Sequence, residues 1–308
     1  MSVISLPDQE WIALVGPVEG VEMVPWDMGG EPPRGDEIEL VVPPYMGDHR
    51  RFGRLSDPPR LRAVQLLTAG YEHVVPHVPP GVQLANAAGV HDASTAELAV
   101  TLVLASLRGI PEFAVAQQHS QWLPSSLWPA LADKRVLILG YGGIGAAIAR
   151  RLSGFEVTLT AVASRARPGD ELVPLVHGVD ELPSLLPEHD VVIVVVPLSD
   201  ATAGLVDRDF LASMPDGALV VNVSRGKVVD TQALLEATLN GRIRAALDVT
   251  DPEPLPGDHP LWRAPGVLIS PHVGGASSAF YPRAVALLRD QLSSFAAGQP
   301  LRNVAYTG

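Results

Sequence analysis

A chain of 308 residues, 47% of them hydrophobic and 18% charged, has enough apolar side chain for two cores rather than one. Its 34 acidic against 22 basic residues leave a net charge of −12, a field that repels a phosphate backbone and argues against nucleic-acid binding. With no cysteine, disulfides, thiolate nucleophiles, iron–sulfur clusters and cysteine zinc sites are excluded, and no metal site is expected.

The first residues, MSVISLPDQEW, lack the basic-then-apolar pattern of a signal peptide. The longest purely aliphatic run, residues 191–196, is far short of the ~20 residues needed to span a bilayer. A cytoplasmic protein with no membrane partner is expected.

Up to about residue 95, short apolar runs alternate with proline and glycine: VEMVPW (21–26), IELVVPP (38–44), LRAVQLL (61–67) and VQLANA (82–87). Each reads as a strand, and their near-continuous hydrophobicity suits a parallel sheet covered on both faces. From Asp92 to about Arg108 the pattern becomes helical and apolar on nearly every side, which predicts burial between domains or in a subunit contact. The stretch that follows, through residues 121–132 with Trp122 and Trp128, reads as an irregular loop.

A second α/β unit opens at Lys134. Strands are predicted at RVLILG (135–140) and at 157–163, 190–196, 218–223, 245–249 and 267–270, with helices between most of them, such as 231–240. This alternation predicts a doubly wound parallel sheet. The last helix, about 280–297, has no predicted strand after it and is expected to pack on the first domain.

Gly140-Tyr141-Gly142-Gly143-Ile144-Gly145 is a G-x-G-x-x-G turn between an apolar strand and a helix, the setting that its chemistry requires. Gly140 permits the tight turn, Gly142 lets backbone approach a pyrophosphate, and Gly145 allows close helix–strand packing. The helix N-terminus then offers N–H groups and partial positive charge to the phosphates. An NAD site places an acid at the end of the next strand, about 20 residues into the motif unit. Here the chain reads Ala163-Ser164-Arg165-Ala166-Arg167. A hydroxyl and guanidinium groups bind a 2′-phosphate that a carboxylate would repel, so Ser164, Arg165 and Arg167 point to NADP(H), with NAD(H) beside a solvated basic turn as the alternative.

Reducing a 2-oxo acid needs a grip on its carboxylate and a proton for the oxygen where charge develops. The fork of an Arg suits the first, and a His kept protonated by a carboxylate suits the second. Arg225 follows LVVNV, Glu253 follows ALDV and His272 follows VLIS, each just past the carboxyl end of a predicted strand, where ligands of open α/β sheets bind. Prolines beside Glu253 and His272 restrict the backbone there.

At these residues the chain resembles the D-isomer-specific 2-hydroxyacid dehydrogenase family. GYGGIG, VPLSDATAGLV, NVSRGKVVD, AALDVTDPEPLP and SPHVGG stand in that family's order and spacing, and the likeness runs from about Leu61 to Asn303. It implies Arg225 as the carboxylate anchor, Glu253 as the His partner and His272 as the proton donor or acceptor. It also implies that the loop at 68–74 offers backbone N–H groups near Ala69 and Gly70 to the substrate.

Cofactor contacts carried over on the same resemblance are Thr95, Tyr141, Gly142, Gly143, Ile144, Val196, Pro197, Thr202, Val223, Ser224 and Gly274. Asp248 is read either as a partner of the nicotinamide carboxamide or as a turn acid. The family implies a flavodoxin-like substrate domain at 1–96, completed by 276–308, and a Rossmann cofactor domain at 97–275. It places the active site in the cleft and implies a homodimer through the helix at 95–108. Within the family the chain is most similar to NADPH-dependent glyoxylate and hydroxypyruvate reductases. His91 and Asp92 depart from the commoner family wording and receive no role. Formate or phosphite oxidation, and a non-catalytic dinucleotide sensor, are the rival readings; Glu253 speaks against the formate enzymes, which resemble members with Gln at that place.

Overall fold

Strand and helix alternate along the whole chain, and the strands assemble into two separate sheets, one of six strands and one of eight. The computed structural model describes residues 1–308, which form two units, Met1–His91 with Ser278–Gly308 and Asp92–Ser277.

In the first unit five strands run parallel: β1 (Ser2–Leu6), β2 (Val21–Pro25), β3 (Ile38–Val41), β4 (Ala63–Gln65) and β5 (Gln83–Ala85), in the order β2-β1-β3-β4-β5. That is the doubly wound order of flavodoxin-like sheets. Asp8 caps helix α1 (Gln9–Val15) by accepting from the Trp11 amide at 2.9 Å. The C-terminal helix Phe280–Ala296 buries Phe280, Ala284, Leu288, Leu292 and Phe295 in a core shared with Ile4, Leu6, Trp11 and Val15. Its wholly buried Gln291 donates to the Arg302 carbonyl at 2.9 Å and accepts from the Arg302 amide at 2.9 Å. Those bonds orient the tail, whose strand Val304–Thr307 pairs antiparallel with β5.

The second unit is built on β6 (Arg135–Leu139), β7 (Thr158–Ala163), β8 (Arg167–Pro168), β9 (Leu175–Gly178), β10 (Val191–Val194), β11 (Ala218–Asn222), β12 (Ile243–Leu247) and β13 (Val267–Ile269). They lie in the order β13-β12-β11-β10-β6-β7-β9-β8, all parallel except β8. This is the Rossmann order, and it reverses direction at β6, which pairs with both β7 and β10. Helix α2 (Asp92–Leu107) buries Thr95, Ala96, Ala99, Leu102 and Val103 and packs on helix α4 (Gly143–Leu152), β11 and β12; α3 (Ile110–Gln118) lies between the two helices in sequence. No single helix is long and apolar enough to cross a membrane.

Several expectations are corrected. A strand does follow the last helix, at Val304–Thr307, set by pairing with β5 and not by its own mixed pattern. The stretch after α2 is not all loop: Pro111 in the first turn and Gly109 at φ 63° start α3. The N-terminus, read above for targeting alone, holds β1 in the middle of the sheet and α1 behind it. Strands β8 and β9 form a hairpin in a stretch given no elements above.

Candidate active site

The glycine turn stands at the carboxyl end of β6, where the strand order reverses. Gly140 has φ 111°, and a β-carbon there would press on the Val195 carbonyl at 2.7 Å, so both the turn and its packing exclude other side chains. A β-carbon on Gly142 would meet nothing within 4 Å, and α4 begins there with no side-chain cap. A helix start without a side-chain cap, beside a residue with room for a backbone approach, fits the pyrophosphate of a dinucleotide.

Beyond β7, Ala163 is half-buried, and Ser164, Arg165 and Arg167 are exposed. No acid stands at the strand end. Arg167 is held: its guanidinium donates to the Tyr141 carbonyl at 2.6 Å. The phenol of Tyr141 donates to Asp170 at 2.8 Å, and burial together with that carboxylate pushes it up to about 12. Asp170 is drawn below the usual carboxylate range by the Val173 amide first and the phenol second.

Three loops leave the adjacent strands β11, β12 and β13 at the same edge. Asn222, fully buried, closes β11: its Oδ1 accepts from the Ser224 amide at 3.0 Å and hydroxyl at 2.7 Å, and its Nδ2 donates to the Arg225 carbonyl at 3.0 Å. The half-buried Arg225 donates from its guanidinium to the Ser224 carbonyl at 2.7 Å. At Gly226 a β-carbon would collide with the Thr250 carbonyl, so this turn lies against the loop that bears Glu253. Thr231 adds a bond to the Asp251 carbonyl at 2.8 Å.

Asp248, 2% exposed, ends β12 and holds the third loop. Its Oδ1 accepts from the Ser270 hydroxyl at 2.6 Å and the Val273 amide at 2.9 Å, and its Oδ2 from the Gly274 amide at 2.8 Å. His272 donates its own amide to the Asp248 carbonyl at 2.7 Å and takes φ 53°. Its Nδ1 lies 2.5 Å from Glu253 Oε1, with both side chains about two-fifths exposed (40% and 42%). A carboxylate beside Nδ1 fixes the proton on that nitrogen and leaves Nε2 as the atom free to exchange one.

The remaining sequence candidates fall in both units. Thr95 is buried against Gly274, and Val223 and Ser224 are buried at the end of β11. Thr202 accepts from the Ser199 amide at 2.8 Å and donates to the Pro197 carbonyl at 2.6 Å, folding the loop after Val196 into a turn. In the first unit the Ala69 carbonyl accepts from Asn86 at 2.8 Å and the Gly70 carbonyl from Thr68 at 2.8 Å, which shapes their loop. His91, buried, holds the Leu67 carbonyl at 2.9 Å and stacks on Tyr45 and Phe280. Asp92 abuts Gly143, where a β-carbon would collide with its carboxylate. Sequence reasoning missed Asn222, although a lone amide closing an all-apolar strand marks a buried polar group that must bond locally. It also missed Asp170, which no motif marks.

A Rossmann sheet with this glycine turn and an Arg, Glu and His beside it has the build of a nicotinamide-dependent oxidoreductase. Residues 100–274 match the family model described as D-isomer specific 2-hydroxyacid dehydrogenase, NAD binding domain. The chain belongs to the D-isomer specific 2-hydroxyacid dehydrogenase family. It is 34% identical over 273 residues to the glyoxylate reductase/hydroxypyruvate reductase of Mus musculus, covering 83% of this chain and 82% of that protein. The Homo sapiens protein of the same name is 32% identical over 297 residues, covering 91% and 89%. A solved D-isomer specific 2-hydroxyacid dehydrogenase from Xanthobacter autotrophicus Py2, in complex with NADPH and MES, superposes with a TM-score of 0.82 at 28% identity, over 99% of this chain and 98% of that one.

Proposed function

We propose that the protein is an NADPH-preferring reductase of small 2-oxo acids, of the glyoxylate and hydroxypyruvate kind, acting in the reverse sense on 2-hydroxy acids. The observation that supports it most is the 2.5 Å contact between His272 Nδ1 and Glu253, on the same sheet edge as the braced Arg225 turn. Arg225 grips the substrate carboxylate through its planar fork. His272 delivers a proton from Nε2 to the carbonyl oxygen, and Glu253 stabilises the imidazolium before transfer and orients the ring. When bound at the glycine turn, the dinucleotide supplies the hydride to carbon 2. Ser164 and Arg165 take the 2′-phosphate, in keeping with NADPH in the Xanthobacter structure.

The helix at 95–108 and its continuation supply a homodimer contact in this reading. Along α3 and after it, Ile110, Phe113, Val115, Trp122 and Leu127 are exposed apolar side chains. The mass in solution, measured by light scattering, is expected to be twice 32.6 kDa.

The decisive measurement is oxidation of NADPH and NADH with glyoxylate, hydroxypyruvate, pyruvate and bulkier 2-oxo acids. Glyoxylate and hydroxypyruvate with NADPH should give the highest kcat/KM. A clear NADH preference would defeat the cofactor assignment. Tight NADPH binding with no acid turned over would favour a dinucleotide sensor instead.

A further inference from the structure

In the hairpin after β7, strand β9 is built into the sheet beside β7, whereas the segment that carries Ser164 and Arg165, the strand β8 and the tip are exposed. Residues 164–172 are all exposed, and only Val173 and Val176 are buried in the unit's core. Its strands pair through two registers, Arg167 with Val176 and Pro168 with Leu175. The tip is closed by Asp170, whose Oδ1 accepts from the Leu172 and Val173 amides at 3.0 Å each. Strand β9 is anchored by its parallel pairing with β7, and what ties the β8 side and the tip to the glycine turn is Tyr141. Its phenol reaches Asp170 at 2.8 Å and its carbonyl receives Arg167 at 2.6 Å, so one residue of the glycine turn is gripped at both ends by the hairpin. Tyr141 itself is 6% exposed and packed in the core beside α4.

A dinucleotide phosphate binds at two anionic points, the pyrophosphate at the glycine turn and the 2′-phosphate at the far side of the adenosine ribose. Two sites that must be filled together reward a fixed separation, since the ordering is then complete before binding. We propose that Tyr141 and Asp170 are positioning residues that set the preference for a 2′-phosphate by holding the Ser164–Arg165 segment at the right reach from the glycine turn. The link has a second consequence. With the phenol and two amides on its oxygens, the Asp170 carboxylate is occupied by its own neighbours. Removing the phenol hydroxyl releases an acid on the very hairpin that must attract an anion.

This inference rests on the NADPH reading above, and the test separates the two. Dissociation constants of 2′,5′-ADP and 5′-AMP are measured by calorimetry for the wild type, Tyr141→Phe, Asp170→Ala and Asp170→Asn, with kcat and KM for NADPH and NADH alongside. In the wild type, 2′,5′-ADP should bind more tightly; if it does not, the NADPH reading falls, whatever the variants do. Tyr141→Phe and Asp170→Ala should weaken 2′,5′-ADP by about five- to tenfold and 5′-AMP by less than about twofold, the scale of one ordinary hydrogen bond. The loss should fall on KM for NADPH more than on kcat and more than on KM for NADH. Asp170→Asn keeps an acceptor for the phenol and should recover most of the preference. Equal weakening of both nucleotides, or no change in their ratio, would overturn the proposal and leave the link a merely structural one. Thermal melting of each apoprotein shows that the variants fold, and Asp170→Ala, set against Asp170→Asn, stands as the test if Tyr141→Phe does not.

Discussion

The loops after β11, β12 and β13 and the hairpin after β7 leave the same edge of one sheet, yet they are held in opposite ways. The Arg225 turn is fixed by several bonds from the buried Asn222 at the end of its own strand, and the His272 loop by several from the buried Asp248 at the end of the neighbouring β12. Gly226 then locks the first loop against the second. The β8 side and tip of the hairpin are tied to the glycine turn through Tyr141, while β9 pairs with β7. Under the proposed function, chemistry that tolerates little displacement is over-determined by the fold, whereas the choice of cofactor falls to a few exposed side chains. Cofactor preference should therefore be separable from catalysis by mutation, and catalysis should not be separable from the integrity of its loops.

The sharpest way to break this contrast is at His272. Replacing it by Ala removes the group proposed to move the proton while leaving the Asp248 bonds to Ser270, Val273 and Gly274 in place. Turnover should fall by about 10²–10⁴-fold, as for a lost acid–base group, with KM for NADPH little changed. A drop under threefold in steady-state kcat would remove His272 from the mechanism.

Asp248→Ala should act differently. It strips the acceptor from three donors in a site with almost no access to water, so the apoprotein itself should lose about 2–3 kcal/mol in a urea titration. Turnover should fall by roughly ten- to a hundredfold because His272 is no longer presented at φ 53°. If Asp248 instead serves only the nicotinamide carboxamide, apoprotein stability stays unchanged and the loss shows in cofactor affinity alone. That comparison decides between the two readings of this acid.

What was legible in the sequence follows the same division. Strand, glycine turn and helix at β6 could be read because each level demands the same residues: an apolar run, then glycines, then an uncapped helix start. The order of Arg225, Glu253 and His272 past three strand ends was legible for the same reason. The hairpin at β8 and β9 was not, because an exposed strand of two residues and a strand of four with a single buried aliphatic, Val176, are too short to show a period. The C-terminal strand depends on a partner more than 200 residues away and on the buried Gln291, a tertiary choice invisible in local pattern. By contrast β1 was within reach: Val3, Ile4 and Leu6 before Pro7 and the capping Asp8 are ordinary strand and helix-start signals.

The smallest expected effect compares two arginines that the sequence treats alike. Arg165 is exposed on the hairpin, and Arg167, two residues on, is tied to the Tyr141 carbonyl. If Arg165 meets the 2′-phosphate, Arg165→Ala should raise KM for NADPH by about five- to tenfold and leave KM for NADH within about twofold. Arg167→Ala loosens a bond to the glycine turn, which both cofactors use, so it should raise both KM values by similar, smaller factors of about two to three. Steady-state titration of the two cofactors against a saturating 2-oxo acid reads both outcomes. A selective NADPH defect in Arg167→Ala with none in Arg165→Ala would exchange their roles, making the tethered guanidinium the phosphate ligand and the hairpin's exposed cation a bystander.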